Sequence, residues 1–233
     1  MCGDADLVHV KVQLYRRGEG FSDVKDVIAG STTVRILLEG RHVATMEASP
    51  SMLCELGAGY VVSHGLRGPL GVSAELAGPS VVDVRAPQAF SRPRPLEVSV
   101  SAETLMSVQS LLNALGRTYA MTGGTHVAVL LRPTGDLVTA AEDVSRHGAI
   151  DKVLGHAVLR GIDTRGLILG VSCRLSEAIV RKAVNAGLPM IVSVAAPTFL
   201  GIARAMEGRV TLVGRAKKDS FKVYAKGAGR IVE

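Results

Sequence analysis

The chain of 233 residues is 47% hydrophobic and 21% charged, which excludes a disordered or low-complexity protein and suffices for one large domain or two small ones. The formal net charge is +6, and the stretch from Arg204 to Arg230, with eight basic and two acidic residues, accounts for the whole excess. Such a patch suits a phosphate-bearing ligand or simply aids solubility, and without a recognition-helix or zinc-finger pattern we expect no nucleic-acid partner.

The first third is predicted to be rich in strands. Residues 34–38 and 42–46 flank a Glu-Gly-Arg turn and predict a β-hairpin. Ser49 and Pro50 then have the order of an N-cap and a first-turn proline, which predicts a helix reaching about Gly65. Residues 66–98 are rich in proline and glycine, so we predict an N-terminal domain over 1–99 and a C-terminal domain over 100–233.

From residue 100 onward, helices alternate with strands. Ser101 is placed to cap a helix that Gly116 ends. Residues 127–131 and 137–141 predict a second hairpin. The remaining pattern predicts helices at 148–159, 176–186 and 198–206, and strands at 167–171, 190–194, 209–213 and 221–224. This alternation predicts an α/β protein with a mainly parallel sheet covered on both faces.

The sequence also limits location and redox chemistry. No apolar run approaches the roughly 18–20 residues that span a bilayer, and residues 1–6 lack the basic and then apolar order of a signal peptide, so we expect a cytoplasmic protein with no membrane partner. Cys2, Cys54 and Cys173 are far apart with no C-x-x-C spacing, which argues against a disulfide framework and a cysteine-rich zinc site.

The first candidate segment is M-T-G-G-T-H over residues 121–126, directly before a predicted strand. Gly123 and Gly124 would let the backbone approach a ligand closely and expose its N–H groups, while His126 supplies a titratable ring. A tight turn with a locally satisfied histidine is the structural alternative.

The second candidate segment, residues 141–152, packs six ionisable side chains into a predicted strand-to-helix transition. Asp143, Arg146 and His147 are the candidates for a site there. Helix-start acids and N-caps offer a structural explanation of part of the cluster, and Asp151 and Lys152 could equally be surface helix charges.

The third candidate segment is G-V-S-C-R-L-S over residues 170–176, again between a strand and a helix. Ligands of open α/β sheets bind at the carboxyl ends of strands, so Ser172, Arg174 and Ser176 are placed for an anionic group. Cys173 beside Arg174 is either a thiolate nucleophile or a small buried apolar side chain.

The fourth candidate segment is the basic loop over residues 214–220, the densest part of the charge excess and suited to a phosphate or pyrophosphate. Zinc deamination needs H-x-E and P-C-x-x-C motifs, and neither occurs. His126 and His147 could share a metal, but a third ligand is not evident, so we predict no metal site.

Taken together, these segments resemble the FdhD family of formate dehydrogenase accessory sulfurtransferases. The matching segments are residues 122–126, 142–147 with 151–152, 172–176, and 212–214 with the basic loop. Ser145 and Gly148 stand where the family usually has glycine and asparagine. The predicted hairpin and first helix also look like the family's N-terminal part, so the resemblance covers about 31–65 and 100–226.

The resemblance implies a C-terminal three-layer α/β/α domain similar to cytidine deaminases without their zinc, beside a smaller strand-rich domain. It implies binding of the molybdenum or tungsten bis-molybdopterin guanine dinucleotide cofactor, with guanine nucleotides such as GDP as mimics. It also implies formate dehydrogenase as client, a cysteine desulfurase as sulfur donor, and a homodimer. The expected binding residues are Thr122, Gly123, Gly124, Thr125, His126, Asp143, Arg146, His147, Ser172, Arg174, Ser176, Arg215, Ala216, Lys217, Lys218, Asp219 and Ser220.

The sequence departs from the family where sulfur is carried. Family members use a C-x-x-C loop before the T-G-G-T-H motif, whereas residues 66–100 contain no cysteine. Cys173 is the candidate substitute for the catalytic sulfur carrier. The sequence therefore does not decide whether the protein transfers sulfur. One alternative is a cofactor-binding chaperone without transferase activity. The other is a nucleotide-directed hydrolase that uses the region of His126 and His147.

Overall fold

The computed structural model describes residues 6–88 and 92–233. Its helices are α1 (Leu53–Ser63), α2 (Ala102–Leu115), α3 (Arg117–Thr122), α4 (Arg146–Leu159), α5 (Glu177–Asn185) and α6 (Phe199–Glu207). Its strands are β1 (Leu7–Arg16), β2 (Gly20–Ala29), β3 (Thr32–Leu38), β4 (Arg41–Ala48), β5 (Ser73–Gly78), β6 (Val81–Arg85), β7 (Val98–Ser101), β8 (His126–Leu131), β9 (Leu137–Asp143), β10 (Ile168–Val171), β11 (Met190–Ser193), β12 (Thr211–Gly214), β13 (Lys222–Ala225) and β14 (Gly229–Val232). The predicted hairpins and helices are confirmed within a few residues at their ends.

The central six-stranded sheet has the order β13-β12-β11-β10-β8-β9. The prediction of a mainly parallel sheet is wrong, because only the β10–β11 and β11–β12 pairs are parallel. Helices α5 and α6 make those two crossovers, whereas hairpin connections make β8–β9 and β12–β13 antiparallel, and β8 also runs against β10. The sheet is therefore mixed.

Helices cover both faces of this sheet. Side chains alternate along β8, so that Val127 and Val129 face α2 while Ala128 and Leu130 face α4 on the opposite side. Helices α5 and α6 lie on the α4 side. The arrangement confirms a mixed α/β fold with three layers around an aliphatic core.

Helix α1 joins the smaller four-stranded sheet, of order β4-β3-β6-β5, to the central one. It packs against α4 at two glycines: a side chain on Gly59 would overlap the carbonyl of Asp151, and one on Gly155 would overlap that of Glu55. One hydrophobic core therefore continues from the small sheet through α1 to the central sheet. The division at residues 99 and 100 remains a prediction.

Ser101 caps α2 as expected, since its hydroxyl accepts a bond from Thr104 N at 3.1 Å. The expectation that Ser49 caps α1 is wrong. Met52 precedes α1 with φ 57°, and in the part of the chain that the structure describes no side-chain cap bond is made there. Ser49 is instead bonded to residues 143 and 144, which are distant in sequence and could not be found from local pattern.

Two further pairings complete the fold. Strands β1 and β2 form a ten-residue antiparallel ribbon, and its last residue, Ala29, lies against Gly124. Strand β14 pairs with β7 in parallel, which ties the chain end to the start of α2. Among the described residues, none of the helices has the length and hydrophobicity that crossing a membrane requires.

Candidate functional site

One edge of the central sheet collects all four candidate segments. Strands β10, β11 and β12 end at this edge. Strand β8 is antiparallel to both β10 and β9, so it begins at this same edge. Its first residue, His126, is therefore paired with Asp143, the last residue of β9. We call the segments 122–126, 143–147, 172–176, 193–199 and 214–220 the sheet rim.

Backbone hydrogen bonds fix the order of the rim segments. Ser172 N donates to Val127 O at 3.0 Å, and Val127 N donates to the Ser172 hydroxyl at 3.0 Å. On the other side, Leu175 N donates to Ala196 O at 3.2 Å. Arg215 N donates to Ala195 O at 2.9 Å, which links the basic loop to the rim. Neighbouring strands lie about 4.8 Å apart, so the glycine turn and the basic loop are separated by roughly three such steps.

The glycine turn at residues 122–126 is held largely by its own hydroxyls. Gly123 has φ 65°, where glycine is unstrained. The Thr122 hydroxyl accepts from Gly124 N at 3.1 Å and donates to Thr118 O at 2.7 Å, while Thr125 donates to Glu142 Oε1 at 2.8 Å. Both threonine hydroxyls thus have partners within the protein, so they shape the turn.

Glu142 was present in the cluster but absent from the predicted site. Its carboxylate accepts from Thr118 N and Tyr119 N, both at 2.8 Å, and thereby anchors the first turn of α3. It holds the glycine turn to the end of β9. Glu142 is 24 residues from Thr118 and 23 from Tyr119, so the sequence around it does not indicate this role.

Two neutral imidazoles and a guanidinium belong to the rim segments that adjoin β8 and β9. Burial lowers the pKa of His126, and the charge of Arg146 lowers it further. Burial, and then the charge of Lys182, lowers the pKa of His147 to about 4. Arg146 Nε is buried without a hydrogen-bond partner among the described residues. These histidines are uncharged at neutral pH, and the guanidinium has an unused donor.

Asp143 is a scaffold for the rim. Its carboxylate accepts from Lys152 Nζ, Ser145 N at 2.8 Å and Ser49 N at 3.1 Å. Burial raises the pKa of Asp143, and the Lys152 charge opposes this. Both side chains are 0% exposed. The alternative that Lys152 is a surface charge is therefore wrong, and Asp143 has no exposed atom to offer a ligand.

A second buried ion pair involves Asp151, the residue before Lys152 in α4. Lys182 Nζ lies 2.8 Å from both carboxylate oxygens of Asp151, and the Ser63 hydroxyl donates to Asp151 at 2.6 Å. Asp151 is thus not a surface charge either. Burial lowers the pKa of Lys182. Lys182 and Ser63 were missed from sequence; the available signal was that Lys182 is three residues after buried Ile179.

Cys173 is placed as a core residue. It is 5% exposed, and burial raises the pKa of its thiol to about 11. It is a neutral thiol at pH 7, which does not favour a nucleophile. The neighbouring Arg174 is exposed, and α5 begins directly after the rim residue Ser176, whose side chain makes no cap bond to the described residues. The nucleophile role remains a prediction.

The basic loop supplies the exposed positive charge. Arg215, Lys217 and Lys218 are exposed and have no ion-pair partner within the described ranges. Lys217 N donates to Ser220 O at 2.7 Å, and the Ser220 hydroxyl donates to Asp219 at 3.0 Å, which closes the loop. Ala216 is buried and holds the loop to Ser193 O.

Two cavities lie beside or opposite the rim, and a third, of about 80 Å³, lies on the small sheet between Glu75 and Arg85. One of about 300 Å³ is lined by Glu142, Thr118 and Ser49 near the end of β9. Another of about 520 Å³ lies at the opposite sheet edge, between Arg94, Arg204 and Arg209. Gly123, Arg174 and Lys217 line none of these cavities, so no described cavity joins the three residues. Within the described ranges, no group of three or more His, Cys, Asp or Glu side chains is placed to hold a metal ion.

Fold and site together define a three-layer α/β protein with a cationic, glycine-containing rim. A likeness of fold supports this class: a crystal structure from Desulfotalea psychrophila, assigned as a formate dehydrogenase accessory protein, superposes with a TM-score of 0.83. It covers 93% of this chain and 96% of that one at 24% sequence identity.

The model of the FdhD/NarQ family matches residues 70–232, and the chain belongs to that family. Protein FdhD of Methanocaldococcus jannaschii is 28% identical over 227 residues, covering 94% of this chain and 96% of that protein. Sulfur carrier protein FdhD of Wolinella succinogenes is 52% identical over 110 residues, which are 47% of this chain and 38% of that protein. The resemblance predicted from the motifs is confirmed.

Proposed function

We propose that this protein is an accessory protein of formate dehydrogenase that binds the molybdenum or tungsten bis-molybdopterin guanine dinucleotide and supports its sulfuration or its delivery. Family membership and the names of the relatives support the client enzyme. The observation that carries the proposal is that the glycine turn, the start of α5 and the basic loop lie along the same edge of the central sheet. A cytoplasmic homodimer is part of the proposal.

The rim fits a ligand with several phosphates. Arg215, Lys217 and Lys218 offer cations that no described carboxylate neutralises. The first turn of α5 and Arg174 add N–H donors beside them. Arg146 Nε is a further buried donor, and it has no hydrogen-bond partner among residues 6–88 and 92–233. A dinucleotide cofactor with two arms bears four phosphates, so extended cationic edges suit it better than a small closed cavity.

The histidines are suited to orient a ligand without charge. Neutral His126 and His147 each provide one donor and one acceptor, so they can bind groups of a heterocycle without competing for its phosphates. His126 Nδ1 lies 3.4 Å from the Ser172 hydroxyl, which limits its rotation. The buried pair of Asp143 and Lys152 fixes the backbone that carries His147.

A second candidate function is to bind and deliver the cofactor without transferring sulfur. It is favoured by the burial and the raised pKa of Cys173, and by the absence of cysteine from residues 66–100. Burial and the charge of Glu55 raise the pKa of Cys54 as well. Cys2 lies outside the described residues. The cysteine desulfurase belongs only to the sulfur-transferring form of the proposal.

Titration with GDP at low and high salt tests the binding proposal. The double variant Lys217→Gln/Lys218→Gln should bind GDP about five- to thirtyfold more weakly at low salt, because each exposed cation contributes roughly 0.5–1 kcal/mol. The difference should shrink at high salt, where charges are screened. The control is Lys11→Gln/Lys25→Gln, which removes two exposed lysines that lie opposite each other in the β1–β2 ribbon, away from the basic loop. Wild-type protein without GDP affinity at low salt would refute the proposal.

A persulfide assay separates the two forms of the proposal. The protein is incubated with a cysteine desulfurase and cysteine, and its mass is followed for the addition of one sulfur atom. The variants Cys2→Ser, Cys54→Ser and Cys173→Ser identify the acceptor. If none of the three cysteines accepts sulfur while GDP binding persists, the protein is a cofactor-binding accessory without transferase chemistry.

A further inference from the structure

An aromatic side chain stands exposed at the rim. The chain has no tryptophan and only eight phenylalanine and tyrosine residues, yet Phe199 is 83% exposed. Its neighbour Leu200 is 62% exposed. In a protein whose core is aliphatic, leaving a phenylalanine ring in water forgoes one of the most favourable burials available. Unlike Phe21, which is exposed at the far end of the β1–β2 ribbon, this ring is exposed where a ligand of the rim could reach it.

Phe199 is the first residue of α6, and the start of α6 is held rigidly. The Thr198 hydroxyl caps the helix by accepting from Gly201 N at 3.2 Å. Thr198 N donates to Leu175 O at 3.1 Å. Gly201 lies so close to Leu175 O that a side chain would not fit there. The ring is thus attached to a fixed point beside the Arg174–Ser176 segment.

The direction of the helix sets where the ring lies. Cα–Cβ bonds in an α-helix tilt toward the N-terminus, so a first-turn side chain of α6 leans toward the rim. The basic loop is bound to the same crossover, because Arg215 N donates to Ala195 O and Gly214 packs against Pro197. The neighbouring strands β11 and β12, which lie about 4.8 Å apart, lead into α6 and into the basic loop, so the two elements begin side by side.

We infer that Phe199 is the platform on which the purine base of the rim's nucleotide ligand stacks, while Arg215, Lys217 and Lys218 bind its phosphates. The inference rests on the proposed function and adds the residue that recognises the base. An exposed aromatic ring and a neighbouring set of cations are the two elements with which proteins hold nucleotides without reading the base edge. Stacking tolerates any base, so Phe199 should favour nucleotides over free phosphate without selecting guanine over adenine.

Calorimetric titrations with GDP, ADP and inorganic pyrophosphate test this role. Phe199→Ala should weaken GDP and ADP binding by similar factors, about tenfold, because a base–aromatic stack is lost. Pyrophosphate, which has no base, should bind the variant and the wild type equally. Phe199→Tyr should retain the wild-type affinity for GDP. The matched control is Phe21→Ala, since Phe21 is 72% exposed at the far end of the β1–β2 ribbon.

Each outcome decides the inference. Unchanged GDP affinity in Phe199→Ala would overturn it and leave the proposed function standing, and Phe199 with Leu200 would then be a protein-docking surface. An equal loss for GDP and pyrophosphate would also overturn it, because the substitution would then act by displacing the loop. A wild-type protein that binds neither GDP nor pyrophosphate would overturn both the inference and the proposed function.

Discussion

Lys152 Nζ lies 2.6 Å from Asp143 Oδ2, and neither side chain has any exposed surface. The pair joins the end of β9 to the second turn of α4. Lys152 also donates to Ser49 O at 3.0 Å, which brings the segment between β4 and α1 into the same network. Three segments therefore depend on one ammonium group, and one of them lies 103 residues away in sequence.

Replacing Lys152 should strongly destabilise the fold. Lys152→Met leaves the Asp143 carboxylate buried without its cation, and breaking such a pair costs about 3–5 kcal/mol. Urea denaturation at pH 7 measures the loss in free energy of unfolding. The exposed Lys25→Met is the control and should change it by less than about 0.5 kcal/mol. A Lys152→Met variant as stable as Lys25→Met would show that the pair contributes no net stability.

Stability should fall as the pH drops from 6.5 toward 4, in part because of His147. Its pKa is about 4 in the folded protein against an ordinary 6.5, owing first to burial and then to the Lys182 charge. Across this range the unfolded chain binds a proton that the folded protein does not. The contribution of neutral His147 to the free energy of unfolding is therefore complete above pH 6.5 and is lost as the pH falls toward 4.

His147→Gln should remove this part of the pH dependence. We expect the difference in urea midpoint between pH 7 and pH 5 to be smaller in His147→Gln than in the wild type. His9→Gln, on the exposed face of the β1–β2 ribbon, is the control and should follow the wild type. Identical pH profiles for all three proteins would contradict the assignment to His147.

Cys173 should resist modification in the folded protein. In a Cys2→Ser/Cys54→Ser variant, the remaining thiol should react with a disulfide reagent only slowly at pH 7.5, because it is buried and its pKa is raised to about 11. Complete reaction is expected in guanidinium. The complementary variant Cys2→Ser/Cys173→Ser reports on partly buried Cys54. If the Cys173 thiol of the folded protein reacted rapidly, it would be accessible enough to serve as a sulfur acceptor.

The contact between α1 and α4 should not tolerate a methyl group. Gly59→Ala places its methyl against the carbonyl of Asp151, and we expect a loss of about 1–3 kcal/mol in free energy of unfolding. Gly78→Ala in β5 is the control, because a methyl there would make only ordinary contact with Val81. Equal stability of the two variants would mean that the helices separate at little cost.

Local features were predictable from sequence, whereas partners distant in the chain were not. Ser101 and Gly116 act on residues within one helical turn, so the pattern alone located them. Ser49 has the same local signature as an N-cap, but its partners lie about a hundred residues away. Strand direction and the burial of Asp151 with Lys182 likewise depend on which segments meet in space. The rim segments were identifiable because glycines and cations concentrate at strand ends.

Because α1 packs on the small sheet and on α4, each sheet would expose part of its hydrophobic core to water if the other were removed. A chain cut after residue 99 would leave the α4 face around Gly155 open to water and would remove Ser63 from Asp151 and Lys182. The small sheet would in turn lose the helix that α1 packs against. Melting of the two halves should therefore be a single cooperative event, and neither fragment should persist alone.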